Sequence, residues 1–251
     1  MTGAPPLLAV EGLSRHFGAL AALSLVSLAV APAERRAIIG PNGAGKTTLF
    51  EVVTGRLGPS GGRIVFAGEP IGGLAPHVVA RRGISRSFQR NNLFPGLAVV
   101  ENLRLAAGAD GRGSYNLFGR GAVARRAQLE RAAAVAAAVG LGDRLGEIAG
   151  RLSHGEQRQL EVGLALATGP RLLLLDEPTA GMSPEETERM TRMLEGLPRE
   201  VALLIIEHDM DVVASLADRV TVLHHGEVLA EGTFGEVKAD PRVYDVYLGS
   251  A

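Results

Sequence analysis

Residues 40–47 read Gly40-Pro41-Asn42-Gly43-Ala44-Gly45-Lys46-Thr47, which has the form G-x-x-x-x-G-K-[ST]. The chemistry of that spacing is phosphate binding. Glycines let the backbone curl so that successive N–H groups point at phosphate oxygens, and a helix opening at the end of the loop adds free N–H groups and partial positive charge. In such a loop Lys46 reaches the β- and γ-phosphates and the Thr47 hydroxyl holds Mg2+, while Asn42, Gly43, Ala44, Gly45 and Thr48 complete the cradle. A second cluster lies about 130 residues further on, where Leu172-Leu173-Leu174-Leu175 runs into Asp176-Glu177. Mg2+ takes oxygen ligands, so Asp176 is the expected partner of Thr47 at the metal. Glu177 is placed to act as general base toward water attacking the γ-phosphate.

These groups need elements to carry them. Arg36-Ala37-Ile38-Ile39 is a short run before the loop that reads as a buried strand, and 48–53 opens a helix with Gly55 placed to stop it. The runs 7–13, 23–29 and 63–66, separated by Gly, Pro and Ser, suggest an antiparallel layer around the loop. Residues 67–90 read as loop-rich, with Arg81-Arg82-Gly83 and then 84–89. Helices are expected over 99–107, 122–139 and 155–168, with a Gly-rich connection over 108–121. From 171 the pattern alternates strand and helix. The near-continuous apolar strands 172–176, 201–207 and 220–224 are of the kind buried on both faces of a parallel sheet. His225-Gly226 turns the chain into a hairpin strand over 227–231, and Asp240-Pro241 caps a last helix reaching 248. An apolar strand delivers Asp176 to the carboxyl edge of the sheet, where ligands bind in open α/β folds.

Bulk properties exclude several classes. The chain has 251 residues, enough for a large core, with 46% hydrophobic and 21% charged residues. A net charge of −1 offers no footprint for nucleic acid. The lack of cysteine removes disulfides, thiolate metal sites and cysteine catalysis. Residues 1–9 lack the charged and apolar segments of a secretory signal, and no stretch reaches the roughly 18 apolar residues of a spanning helix. An intracellular chain with peripheral membrane contact is expected.

Leu152-Ser153-His154-Gly155-Glu156-Gln157 is the most discriminating segment. Ser153-x-x-Glu156 is a capping box that starts a helix, and a capped helix start beside a glycine is also an anion site. A second phosphate grip, in a chain that already has one, resembles the ATP-binding subunits of ABC transporters, where Leu-Ser-Gly-Gly-Gln opens a signature helix about twenty residues before the acidic strand end. Here Ser153 lies 23 residues before Asp176, with His154 in place of the first glycine and Glu156 in place of the glutamine. The resemblance covers nearly the whole chain from Leu7. It implies an α/β P-loop NTPase of ABC ATPase type, with a mixed sheet core and antiparallel β layer over 1–90 and 166–251 and an α-helical signature subdomain over 91–165.

The same resemblance assigns further residues. Ser153, Gly155 and Glu156 would grip the γ-phosphate of ATP held by an opposite subunit. Ser87-Phe88-Gln89 is similar to the Q-loop, so Gln89 would meet Mg2+ and the attacking water. Ile205-Ile206-Glu207-His208-Asp209 is similar to the switch strand, with His208 on the γ-phosphate and orienting Glu177. Phe17, 23 residues before Gly40, is similar to the aromatic that stacks on adenine, with a packed core Phe as the rival reading. Ala180-Gly181-Met182-Ser183 occupies the D-loop, where the family commonly ends in Asp. Arg90-Asn91-Asn92-Leu93-Phe94, Glu207-His208-Asp209-Met210 and the ending Val246-Tyr247-Leu248-Gly249 resemble the subunits of branched-chain (hydrophobic) amino acid importers. Urea and amide importers and a lipopolysaccharide-export type are the alternatives. The implied cofactors are ATP and Mg2+. The implied partners are integral-membrane permease subunits, a second ATP-binding subunit (a homologue or a second copy) and, indirectly, a periplasmic or extracellular solute-binding protein, with no nucleic acid. The implied location is the cytoplasmic face of the inner membrane.

Overall fold

A computed structural model of the chain describes residues 5–87, 93–108 and 120–248. In chain order these form β1 (Leu8–Phe17), β2 (Leu20–Val30), β3 (Arg35–Ile39), α1 (Lys46–Val53), β4 (Gly61–Phe66), β5 (Glu69–Pro70) and α2 (Pro76–Arg81). There follow β6 (Ile84–Arg86), α3 (Val99–Ala107), α4 (Arg120–Ala138), α5 (His154–Ala167), β7 (Leu172–Asp176) and α6 (Pro184–Glu195). The last stretch holds β8 (Ala202–Ile206), α7 (Met210–Leu216), β9 (Arg219–His224), β10 (Glu227–Gly232), α8 (Phe234–Ala239) and α9 (Pro241–Leu248). The chain forms two compact units, one of Met1–Ile84 with Arg199–Ala251 and one of Ser85–Pro198.

The first unit carries two sheets. One has the order β2-β1-β4-β5 with antiparallel pairing throughout, as the alternating runs predict. In the other, β3 lies between β8 and β9 and pairs with both in parallel, and β10 returns antiparallel on β9. Every residue of β3 and β8 is buried, which explains why they read as apolar runs rather than alternating ones. Arg35 and Arg36 in β3 are the exceptions in type. The Arg36 guanidinium is held by Glu34 at 2.7 Å, Glu231 at 2.8 Å and the Thr221 hydroxyl at 3.0 Å, so its charge is matched inside the unit. Ala37, Ile39, Val213, Val220, Val222 and Val237 pack as one core cluster beneath. Each valine or isoleucine side chain taken from water contributes roughly 1.5–3 kcal/mol.

The second unit is mostly helical around β6 and β7. Gly163 of α5 is where helices meet closely. A Cβ there would sit 3.1 Å from Leu103 of α3 and 3.2 Å from Val139 just beyond α4. Asn102 of α3 is buried and closes the loop before it, accepting from the Phe94 N–H at 2.9 Å and donating to the carbonyls of Phe94 and Leu97. The helix expected from 122 opens at Arg120. Residues 67–90 contain more order than expected. β5, α2 and β6 lie there, with α2 starting at a proline whose missing N–H costs nothing at the first helical position. Among the described residues no helix is long and apolar enough to cross a membrane.

Candidate nucleotide-binding site

The phosphate loop sits between the end of β3 and the start of α1 in the first unit. Three of its glycines have positive φ: Gly40 at 148°, Gly43 at 81° and Gly45 at 101°. Gly45 is also the N-cap of α1, which has no side-chain cap and no acidic residue in its first turn. The loop is held from both sides by backbone. A Cβ on Gly40 would lie 2.1 Å from the carbonyl oxygen of Leu223, and one on Gly45 would lie 2.6 Å from that of Ala22. Gly226, in the β9–β10 turn, donates its N–H to the Ala44 carbonyl at 3.1 Å. The buried Lys46 folds back on the loop, donating from Nζ to the carbonyl oxygens of Gly40 at 2.6 Å and Pro41 at 3.0 Å. Thr47 is exposed at the first turn of α1. This is a preformed ring of backbone with one ammonium at its rim, suited to an anion.

Two expected residues of the same unit take up distinct surroundings. Phe17 ends β1 with 45% of its surface exposed, and the Arg15 guanidinium carbon lies 4.7 Å from its ring centroid. The ring is therefore a surface platform and not a core residue. His208 is exposed after β8, and its N–H donates to the carboxylate of buried Glu207 at 3.1 Å. Asp209 then caps α7, accepting from the N–H groups of Asp211 and Val212.

In the second unit β7 ends on Asp176, which is buried. Its Oδ2 accepts from Arg86 Nη2 at 2.5 Å. Glu177 follows with φ 48°, a left-handed conformation that costs a non-glycine residue roughly 1–3 kcal/mol and concentrates at functional sites. Its side chain is half-buried. Gln89 lies outside the described residues, as do Phe88 and Arg90-Asn91-Asn92.

Ser153 caps α5 in a complete box. Its hydroxyl accepts from the Glu156 N–H at 3.3 Å, and the Glu156 carboxylate accepts from the Ser153 N–H at 2.9 Å. The Ser153 backbone holds the Glu156 carboxyl below the usual glutamate range, with Arg144 assisting against partial burial. Ser183, the last residue of the D-loop segment, caps α6 in the same way with Glu186. Glu186 also reaches α5, where a Cβ on Gly155 would meet its Oε1 at 3.1 Å. The Ser183 backbone and hydroxyl lower the Glu186 pKa, and the Gly155 N–H contributes. A groove of about 460 Å³ opens between these helix starts, lined by Gly140, Ser153, Gly155, Glu156, Met182 and Glu186 among others. Neither Asp176 nor Glu177 lines it.

A glycine cradle with a lysine, a buried strand-end aspartate and a capped serine-glycine helix start are the parts of one kind of machine. The ABC transporter family model matches residues 23–180. The chain belongs to the ABC transporter family. A further model, for the branched-chain amino acid ATP-binding cassette transporter, matches residues 227–251 of this ABC ATPase. The high-affinity branched-chain amino acid transport ATP-binding protein BraF of Pseudomonas aeruginosa is 41% identical over 98% of this chain and 99% of its own length. LivG of Escherichia coli, with the same description, is 39% identical over the same shares. Among solved structures, the ADP conformation of an ATP-binding cassette of an ABC transporter aligns with a TM-score of 0.83 and 30% identity, over 98% of this chain and 100% of the other. The fold is the α/β P-loop NTPase of ABC ATPases, and the chain is an ATPase.

Three features of the site were not read in advance: the Arg86 partner of Asp176, the Ser183 cap and the Glu186 carboxylate at Gly155. Ser183-x-x-Glu186 carries the same capping-box signal as Ser153-x-x-Glu156 and was open to the same reading.

Proposed function

We propose that this ATPase powers an importer of branched-chain or other hydrophobic amino acids, bound to permease subunits at the cytoplasmic face of the membrane. The observation that carries the reading is similarity over nearly the full length of both chains to such ATP-binding proteins, extending to a C-terminal segment matched by the branched-chain subfamily model. In this reading 91–165 is the helical signature subdomain and the remainder the ATP-binding core.

The loop from Asn42 to Thr48 cradles the phosphates. Lys46 exchanges its bonds to Gly40 and Pro41 for phosphate oxygens, so the ammonium enters the site already aimed. Phe17 offers its exposed ring to adenine. The donor set suits Mg2+. Asp176 supplies a carboxylate, Thr47 a hydroxyl and Gln89 an amide oxygen, and hard oxygen ligands of this kind, completed by phosphate oxygens and water, are what the ion takes. When bound, Mg2+ neutralises phosphate charge as it develops. Glu177 accepts the proton of the attacking water, and His208 holds the γ-phosphate end of the site.

Ser153, Gly155 and Glu156 grip the γ-phosphate of a nucleotide held by a second ATP-binding subunit, a homologue or another copy. Only a nucleotide with that phosphate bridges the pair, so ATP favours the closed pair over the open one by that differential contact. Closing moves the permease, which receives solute from a binding protein on the far side.

Uptake of labelled leucine tests this, in cells whose own copy is replaced by the wild-type chain or by Glu177→Gln. Uptake with the wild type and its loss with the variant is the expected result. Equal uptake with both would overturn the importer assignment and point to another solute.

A further inference from the structure

Arg86 is the last residue of β6 and Asp176 the last of β7. The Ser87 N–H donates to the Leu174 carbonyl at 2.8 Å, so the two strand ends run side by side. Arg86 Nη2 and Asp176 Oδ2 stand 2.5 Å apart, with the side chains 6% and 1% exposed. Two other ion pairs of this unit differ. Arg126–Glu130 and Arg192–Glu188 join residues one turn apart on a single helix and are open to solvent. Arg86 and Asp176 are 90 residues apart in sequence and meet where water is excluded, which strengthens the attraction between them.

A buried arginine on a buried carboxylate can be purely structural. What changes the meaning here is which carboxylate it holds. In the reading above Asp176 is the acidic ligand of Mg2+, and the inference rests on that reading. One carboxylate then serves two cations, a fixed guanidinium and an arriving metal. The guanidinium orients the carboxylate plane in advance, because a planar donor held at one oxygen restricts how the group can turn. It also stands as a like charge beside the incoming ion and draws on the same negative charge.

We infer that Arg86 is a positioning residue: it acts as the resident counter-ion of Asp176 and raises the Mg2+ concentration needed to load the nucleotide site. The metal therefore binds well only when nucleotide phosphates add their own charge, which ties metal entry to nucleotide entry. Arg86 works through Asp176 and touches no reacting atom.

The test is thermal unfolding of the purified chain at a fixed ADP concentration while Mg2+ is titrated, a readout independent of turnover. The half-saturating Mg2+ is expected to fall at least about threefold in Arg86→Gln, because a like charge beside the ion has gone. Arg86→Met, unbranched and of similar reach, carries the same expectation if the glutamine variant does not fold. Arg86→Lys keeps the charge and should return the midpoint to within about twofold of wild type. A merely structural arginine would lower the melting temperature equally with and without Mg2+ and leave the midpoint unmoved. An unmoved or raised midpoint in the uncharged variants overturns the proposal while leaving the nucleotide site intact. A wild-type chain stabilised by ADP with no dependence on Mg2+ would instead remove the metal reading, and the proposal with it.

Discussion

In the proposed reading two helix starts of this molecule meet phosphate, and they are built in opposite ways. α1 begins on Gly45, with no side-chain cap and no acid in the first turn. Its first turn holds no carboxylate of its own helix, and the backbone around it is locked by Leu223, Ala22 and Gly226. α5 begins on Ser153 with both halves of a capping box closed, and Glu186 of the neighbouring helix adds a second carboxylate at Gly155. Helix N-termini attract anions by the same physics in both cases. The difference lies in what occupies them beforehand. α1 is held open by glycines in conformations that other residues rarely adopt and, in the proposed reading, takes phosphate unaided. The start of α5 is satisfied without ligand, and in the same reading it trades its carboxylates for a phosphate presented from outside. On that reading the open site binds first, and the self-capped site engages once the rest of the encounter is made.

The comparison can be sharpened by removing parts in turn. The largest effect belongs to neither helix start. Glu177→Gln should leave ATP binding intact and slow hydrolysis at least about 100-fold in a turnover assay, within the range for loss of a general base. That outcome separates phosphate grip from bond cleavage. Next is the locked backbone. Gly45→Ala would push a Cβ against the Ala22 carbonyl at a φ of 101°, and strain of this kind costs about 1–3 kcal/mol. A lowered melting temperature and weaker ATP binding are expected together, since the strained backbone is itself the phosphate ring.

Ser153→Ala should be milder in stability. Loss of an N-cap serine costs about 1 kcal/mol, which for a chain of this size lowers the melting temperature by about 2–4 °C. The smallest effect is in pH. The carboxyls of Glu156 and Glu186 sit below the usual glutamate range when folded. A depressed folded pKa adds stability above the unfolded value, and that stability is lost as pH falls through the folded one. Acid titration of the melting temperature should therefore show a shallower fall in Glu156→Gln than in wild type across and below the ordinary glutamate range.

How far these features could be read in advance depends on their range along the chain. The loop 40–47, the run 172–177 and the box 153–156 are local patterns, and each folds as its residues predict. α3 and β7 have the bounds expected of them, because apolar spacing and flanking loops mark both ends. The helix α2 was hidden in a stretch read as loop. It is six residues long, opens on a proline and buries only Val79, too little to set a period. α8, also six residues, went unread between β10 and α9 for the same reason. Nothing local marks Arg86 for a contact 90 residues away. The buried Asn102, which ties down residues 94–98, is likewise invisible until the loop closes over it. Glu186 could have been suspected from its own box with Ser183, but its approach to Gly155 depends on how α5 and α6 pack.

The central claim is that the two helix starts act on different nucleotides. The most direct test is the ATP dissociation constant of the purified chain, dilute enough to stay unpaired, for wild type, Lys46→Ala and Ser153→Ala. The account predicts that Lys46→Ala weakens binding at least about 100-fold, since a buried charge-assisted contact of about 3 kcal/mol is lost. Ser153→Ala should bind as wild type does. Comparable losses in both variants would mean that one chain grips a single nucleotide with both helix starts, and would contradict the account.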